Sequence, residues 1–299
     1  MELNVIRHKT SKEFFIGFYP EDLVESYAYQ LERMFEQGSA VEGDYFVVSN
    51  GDIPLLSLEI FRNHTRRILE KPPLLAMNIE LAPEEFTKAM TLIFEYLNDE
   101  IISGAIEKAL HITISENNKY FTDYKKLITD YKFINILTKI NFEAKLNEIR
   151  VQNNSECTYD QLINIPVEER FNIISKSTYK DIYANLSNEK VYLDMLEEGY
   201  QSEDIWDSVI FEGKAIGYMM PVFTNGLKNK LELINYGCYE TQQNEIFYNA
   251  VLNRVIQLSE QHKISQLVLN VNTSDTGFVS LLERSGLRKS RLVKNYIRK

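Results

Sequence analysis

One stretch of the sequence, residues 231–287, constrains the fold more than any other, because four secondary-structure patterns follow one another in it without a break. Extended apolar runs alternate with amphipathic helical periodicity, so the stretch reads as strand, helix, strand, helix. The second helix ends at Ser285-Gly286, a C-cap signal. The predicted elements are the strand 231–239, the helix 241–258, the strand 266–271 and the helix 275–284. This order predicts an α/β domain in the second half of the chain.

The first half of the chain repeats the same plan. Asn50-Gly51 is the strongest hairpin signal in the sequence, and Glu212-Gly213 marks a hairpin at the corresponding place in the second half. The remaining elements recur at an offset of about 160 residues, which predicts a duplicated domain. Further elements are expected as strands at 74–81 and 109–114 and as helices at 167–174 and 188–198. The polar segment 151–160 is the predicted junction between an N-terminal domain, residues 1–150, and a C-terminal domain, residues 151–299.

Charge and composition limit the partners and the compartment. The 299 residues include 33 Lys and Arg against 43 Asp and Glu, and the net charge of −10 argues against nucleic acid or an anionic membrane as the main partner. Apolar runs fall well short of the roughly 20 residues that a membrane-spanning helix needs, and residues 1–15 lack the apolar core of a signal peptide. We therefore expect a cytoplasmic protein that binds neither nucleic acid nor membrane.

The cysteines and histidines form no recognisable metal-binding or redox motif. Cys157 and Cys238 make neither a disulfide framework nor a zinc pattern, so both are expected to be reduced thiols. The four histidines have no partner at metal-ligand spacing. No metal site is therefore expected.

Two segments of the second half carry a resemblance to a known family. Residues 238–252 look like an acetyl-CoA loop with its following helix, and Leu281-Leu282-Glu283-Arg284-Ser285-Gly286-Leu287 resembles an ending of the form Leu-Tyr-Glu-Lys-x-Gly-Phe. Together with the order of elements, these segments resemble a tandem, two-domain member of the GNAT-type N-acetyltransferase superfamily with degenerate acetyl-CoA motifs. The resemblance implies two α/β (α+β) domains, each a mixed, mostly antiparallel sheet flanked by helices.

The resemblance also implies acetyl-CoA as the donor substrate. Backbone N–H groups at a helix start bind pyrophosphate, and small residues let the backbone come close to it. Gln243 matches the first position of the family pattern, whereas Ile246 and Tyr248 stand where the small residues belong. The same residues are also explained as the start of a packed helix. The cofactor-binding residues implied by the resemblance are Cys238, Tyr239, Gln243, Asn244, Glu245, Ile246, Phe247, Tyr248, Asn272 and Asp275. The corresponding segment of the first half, residues 86–91, lacks the pattern, so that half is expected to be non-catalytic.

Acetyl transfer to an amine needs a base, a polarised carbonyl and an acid for the leaving thiolate. Glu232 and Glu240, near the ends of the strand before the helix, are candidates for the base, although each glutamate is also explained as a surface charge. A backbone N–H within 238–240 would hold the carbonyl oxygen. Leu282 takes the place of the tyrosine that protonates the thiolate in the family. Three outcomes are then open. The hydroxyl of Ser280, Ser285 or Tyr296 replaces the tyrosine as the acid, the thiolate leaves without an acid, or no reaction occurs.

Three functions therefore stay open. The first is an N-acetyltransferase that moves acetyl from acetyl-CoA to a primary amine of a small molecule or peptide. The second is a catalytically silent protein that kept the fold for binding or scaffolding, and Ile246, Tyr248 and Leu282 favour it. The third is a tandem acyltransferase with an aminoacyl-tRNA donor, which the acidic charge disfavours. No pattern in the sequence indicates the acceptor or the oligomeric state.

Overall fold

The chain forms two compact units in the computed structural model. One unit comprises Met1–Ile136 with Lys294–Lys299, and the other comprises Leu137–Val293. Sequence repeats and compact units need not share a boundary, so the division after residue 150 stays a prediction about the duplicated segments. The residues that the structure describes are 3–8, 18–36, 45–59, 61–62, 67–69, 74–75, 80–102, 110–150, 156–166, 169–170, 203–224, 230–239 and 244–298.

The N-terminal unit contains the following elements: β1 (Leu3–His8), α1 (Glu21–Glu36), β2 (Tyr45–Asn50), β3 (Ile53–Glu59), β4 (Phe61–Arg62), β5 (Arg67–Leu69), β6 (Leu74–Leu75), α2 (Pro83–Ile102), β7 (Leu110–Ser115) and α3 (Phe121–Asp130). Its first sheet is antiparallel in the order β1-β2-β3-β6, and β5 pairs with β7 in parallel. The predicted hairpin is confirmed: β2 and β3 are joined through Gly51, whose φ of 58° lies in the left-handed region. Buried side chains of α2 and α3 pack with those of the sheet in one core.

The C-terminal unit contains these elements: β8 (Ile134–Lys145), β9 (Thr158–Gln161), β10 (Asp207–Phe211), β11 (Lys214–Thr224), β12 (Lys230–Cys238), α4 (Asn244–Gln261), β13 (Gln266–Asn272), α5 (Thr276–Arg284) and β14 (Arg288–Arg298). Its strand order is β14-β8-β13-β12-β11-β10-β9, with β12 and β13 parallel and the pairs from β9 to β12 antiparallel. The strand, helix, strand, helix order predicted for 231–287 is confirmed as β12, α4, β13 and α5. Of the helical patterns at 167–174 and 188–198, only Glu169 and Arg170 lie within the described residues, and both are helical.

Both units have mixed sheets flanked by helices, as the sequence predicts. The chain passes from the first unit to the second inside β8, and the end of β14 belongs to the first unit. Within that unit, Asn295 Oδ1 accepts a hydrogen bond from Thr113 Oγ1 at 2.9 Å, and Lys294 pairs with Glu116 at 2.8 Å. No helix in the described ranges is long and apolar enough to cross a membrane.

The ends of α3 and α5 have the same hydrogen-bonded cap. In each helix the residue after the left-handed position donates its N–H to a carbonyl of the last turn, at 2.9 Å for α3 and 3.0 Å for α5. This is a Schellman motif, in which the left-handed residue is usually glycine. That residue is Gly286 in α5, with φ of 90°, and Lys132 in α3, with φ of 64°. The shared cap supports the duplication.

Because Lys132 holds a left-handed conformation, Lys132→Gly is expected to stabilise the protein by about 0.5–1 kcal/mol. The relief of strain at Cβ exceeds the entropy that glycine adds to the unfolded chain. Urea unfolding of the full chain measures the change, with Gly286→Ala as the converse variant, which is expected to destabilise by more than this amount, because its Cβ would also lie 3.0 Å from the Glu148 carbonyl oxygen. A loss of stability in Lys132→Gly would contradict the cap assignment.

Candidate functional site

Strand β12 separates from its parallel partner β13 partway along its length. The pairing between them ends at Leu233 opposite Leu269. Beyond that point β12 continues to Cys238 along β11, and β13 continues to Asn272 along β8. The sheet therefore opens between residues 234–238 and 270–272, a feature called here the strand gap.

A β-bulge in β12 lies where the strand gap begins. Across β11, Met220 faces Asn235 and Pro221 faces Leu233, so Ile234 is the extra residue. A bulge bends its strand and increases the local twist. The bulge follows directly on the last parallel pair, so it accounts for the departure of β12 from β13.

The side chain of Tyr236 crosses the strand gap. The N–H of Asn272 donates a hydrogen bond to the Tyr236 hydroxyl at 3.1 Å, and that hydroxyl donates to the carboxylate of Asp275. The Tyr236 ring meets Phe278 edge-on, with centroids 5.3 Å apart, and Phe278 stacks on Tyr248 at 4.7 Å. All three rings are buried. This aromatic cluster of Tyr236, Tyr248 and Phe278 joins β12, α4 and α5.

Asp275 has an unusual environment for a carboxylate. It precedes α5 as the N-cap residue, yet its side chain makes no capping bond and is turned to Tyr236. The residue is 1% exposed, and its Oδ1 has no hydrogen-bond partner among the residues described. Burial raises the pKa of Asp275 to about 7, against a smaller opposing effect of the Tyr236 hydrogen bond. Asp275 therefore changes its charge near neutral pH.

Helix α4 follows the end of β12 and supplies the expected helix start. Its 18 residues begin at Asn244, so the first-turn N–H groups, which have no carbonyl partner within the helix, and the positive dipole end lie at residues 244–246. Ile246 is 37% exposed and Glu245 is exposed, whereas Phe247 and Tyr248 are buried in the core. The side chains of Phe247 and Tyr248 are thus packing residues in this structure. Glu240 and Gln243 lie outside the described residues.

Glu232 and Asn270 form a polar pair where the strand gap begins. Asn270 Nδ2 donates to Glu232 Oε1 at 2.7 Å, and Lys230 Nζ lies 3.9 Å from the other carboxylate oxygen. The Glu232 side chain is 24% exposed, while Asn270 Oδ1 is buried with no partner in the described part of the chain. A carboxylate and an unpaired amide oxygen are two acceptors, which suit an ammonium group.

Several other residues that the sequence analysis assigned to the site are buried or hydrogen-bonded within the protein. Cys238 is buried and forms no disulfide, and the N–H of Tyr239 donates to the carbonyl of Ile216 at 2.9 Å. Burial raises the pKa of the Tyr239 hydroxyl. Leu282 is fully buried, and Tyr296 packs in the core of the N-terminal unit. The amide of Tyr239 is therefore engaged and not available to hold a carbonyl oxygen.

Sequence reasoning missed two glycines and one amide in this region. A Cβ on Gly217 would lie within 3.0 Å of both the Gly237 carbonyl oxygen and the Phe247 ring, so the backbone of β12 and a side chain of α4 pack directly against the backbone of β11 there. A glycine inside a strand pattern is the signal that could have indicated this contact. Asn270 had no such signal, because its partner Glu232 is on another strand.

The N-terminal unit also places stacked aromatic rings beside the starts of α2 and α3. Phe86 of α2 and Tyr120, which precedes α3, stack at 4.1 Å, and the Tyr120 hydroxyl donates to the Leu81 carbonyl at 2.9 Å. The expectation that this half is non-catalytic stays a prediction. Across the described residues of both units, no three potential ligands cluster to hold a metal ion.

Structural comparison identifies the fold. No protein-family model and no curated protein matches the sequence. A GCN5-related N-acetyltransferase from Sphaerobacter thermophilus matches with a TM-score of 0.62 and 11% identity, over 99% of this chain and 95% of that chain. A tandem GNAT protein from the clavulanic acid biosynthesis pathway matches at 0.58 and 8%, over 99% and 98%. A GNAT-family acetyltransferase from Colwellia psychrerythraea matches at 0.54 and 10%, over all of both chains.

These likenesses extend over the whole chain, including that to a tandem protein. The chain therefore has the tandem fold of the GCN5-related N-acetyltransferases. At identities of 8–11% the likeness defines the fold and leaves the activity to be argued from the site.

Proposed function

We propose that the chain is an N-acetyltransferase that transfers acetyl from acetyl-CoA to a primary amine of a small molecule or peptide, with the C-terminal unit as the donor-binding half. The observation that carries this proposal is the strand gap beside the start of α4. An extended chain with amide groups binds to the open edge of a strand, and a pyrophosphate binds at a helix start. Acetyl-CoA contains both groups: an extended arm with amide groups, and a diphosphate.

The backbone fits the donor better than the side chains do. First-turn N–H groups from Asn244 onward would face the diphosphate, and Asn272 and Asp275 would border the arm. Glu245 adds a negative charge near the helix start, and the aromatic cluster occupies the strand gap. Tyr236 would therefore have to move when the donor binds.

Glu232 and Asn270 support an amine as the acceptor. Their two acceptor oxygens would bind the ammonium group, and Glu232 would take its proton before the neutral amine attacks the thioester carbonyl. The nitrogen loses a second proton to water as the C–S bond breaks, and the sulfur leaves with the electron pair. A thiol has a pKa of about 8.5, so the thiolate takes its proton from water without a side-chain acid at Leu282.

A catalytically silent binding protein is the second candidate. The observation that favours it is the aromatic cluster, because Tyr236 and its neighbours fill the strand gap instead of leaving it open. Binding and turnover of acetyl-CoA separate the two candidates.

Glu232→Gln is expected to lower kcat for acetyl transfer about 100- to 10,000-fold, because the amide cannot accept the amine proton, and to leave the Kd for acetyl-CoA unchanged. Calorimetry gives the Kd, and thiol release over a panel of primary amines gives kcat. Glu260→Gln, an exposed glutamate at the end of α4, is the matched control and is expected to retain activity. If acetyl-CoA gives no heat of binding with the unsubstituted protein, the transferase proposal fails and the silent candidate remains. A change in Kd for Gln243→Ala would show that the donor binds at the start of α4.

A further inference from the structure

The Tyr236 hydroxyl occupies a backbone binding position at the edge of β13. In an intact parallel sheet, the N–H of Asn272 would donate to a carbonyl of the neighbouring strand. Because β12 has departed after Leu233, that N–H donates to the Tyr236 hydroxyl at 3.1 Å. A side-chain oxygen thus takes the place of a carbonyl oxygen from a strand or from an extended ligand.

Specific contacts hold Tyr236 in this position. Its hydroxyl donates to Asp275, which forgoes its ordinary capping bond at the start of α5 to accept it. Its ring packs edge-on against Phe278, and the whole side chain is buried. When Asp275 is ionised, this hydrogen bond is stronger than one between neutral groups. The position of Tyr236 in the strand gap is therefore fixed by specific contacts.

We propose that Tyr236 is a gate on the donor-binding strand gap, held closed by its hydrogen bonds to Asp275 and Asn272, and that it rotates out before an acyl thioester enters. The inference rests on the proposed function and adds the regulation of the same site. Opening frees the N–H of Asn272 for a carbonyl of the entering arm. Asp275 is a positioning residue for Tyr236 and makes no contact with the reacting atoms.

A gate lowers the apparent affinity by the fraction of molecules that are open, so weakening it must tighten binding. Tyr236→Phe removes both hydrogen bonds and keeps the ring, and its Kd for acetyl-CoA is expected to fall about tenfold. Tyr236→Ala also empties the space that the ring fills, and its Kd is expected to fall further. Asp275→Ala is expected to act in the same direction as Tyr236→Phe, and the double variant is expected to add little, because both break one contact.

The experiment is calorimetric titration of acetyl-CoA into the full chain and each variant, with circular dichroism to check folding. Tyr159→Phe is the matched control. It removes another tyrosine hydroxyl of the same unit, one that donates to the Ala250 carbonyl in the middle of α4 at 2.9 Å and not to a residue of the strand gap, and it is expected to leave the Kd unchanged. Where Tyr236→Ala does not fold, Tyr236→Phe decides the outcome.

The outcomes separate the gate from the proposed function. Tighter binding in the Tyr236 variants supports the gate, whether the unsubstituted protein binds weakly or gives no heat, and in the latter case the native protein is the silent candidate. An unsubstituted protein that binds with the same Kd as both variants overturns the gate and leaves the transferase proposal standing. Absence of binding in every folded variant overturns both.

Discussion

Gly217→Ala is expected to destabilise the C-terminal unit by about 3 kcal/mol, at the upper end of what overpacking a core normally costs. The added methyl group would meet the Gly237 carbonyl oxygen and the Phe247 ring well inside van der Waals distance. Neither neighbour can yield easily, because one is strand backbone and the other is a fully buried side chain. Relief requires β11 and β12 to separate or α4 to shift from the sheet.

Urea unfolding followed by tryptophan fluorescence measures this loss. Trp206 is the single tryptophan of the chain and lies in the core of the same unit, so its signal reports on the affected unit. Gly277→Ala is the matched control. Its methyl group would lie 3.4 Å from the Tyr248 ring, an ordinary contact, and alanine favours the helix by about 1 kcal/mol. Equal stability of Gly217→Ala and the unsubstituted protein would contradict the packing described for β11, β12 and α4.

Asp275→Asn is expected to remove a dependence of stability on pH worth about 4 kcal/mol. An aspartate in the unfolded chain has a pKa of about 3.9, and burial raises the pKa of Asp275 to about 7 in the folded protein. The folded state thus binds the proton more tightly than the unfolded state. The stabilisation that this proton gives to the folded state is fully present below about pH 4 and is lost as the pH rises through about 7. Its size is about 1.4 kcal/mol per unit of difference between the two pKa values.

Unfolding free energies measured from pH 4 to pH 8 test this linkage. The variant and the unsubstituted protein are expected to be similarly stable at pH 4, and the variant to be the more stable at pH 8, because asparagine accepts the Tyr236 hydrogen bond without a buried charge. Burial and the neighbouring Asp275 charge raise the pKa of Tyr236 well above its ordinary value, so that hydroxyl stays neutral throughout. Asp204→Asn, at an exposed aspartate of the same unit, is the control. Parallel pH profiles for Asp275→Asn and the unsubstituted protein would mean that the carboxyl is not buried.

The order of strands and helices in 231–287 followed from the sequence alone, because hydrophobic periodicity and helix-end signals act over a few neighbouring residues. The same holds for the hairpins at Gly51 and Gly213, where a left-handed turn residue is a local requirement. Their recurrence along the chain, together with the ending at Gly286, was enough to predict the tandem fold that the structural comparison identifies.

The contents of the strand gap were decided only by the tertiary structure. One extra residue, Ile234, ends the pairing with β13 and determines that Tyr236 reaches Asn272 and Asp275. A shift of one position in a strand turns every following side chain to the other face, and no local sequence pattern predicts such a shift. The raised pKa of Asp275 and the pairing of Glu232 with a residue of another strand likewise arise from neighbours distant in sequence. Periodicity along the chain determined which elements form, whereas register and burial decided which side chains meet in the gap.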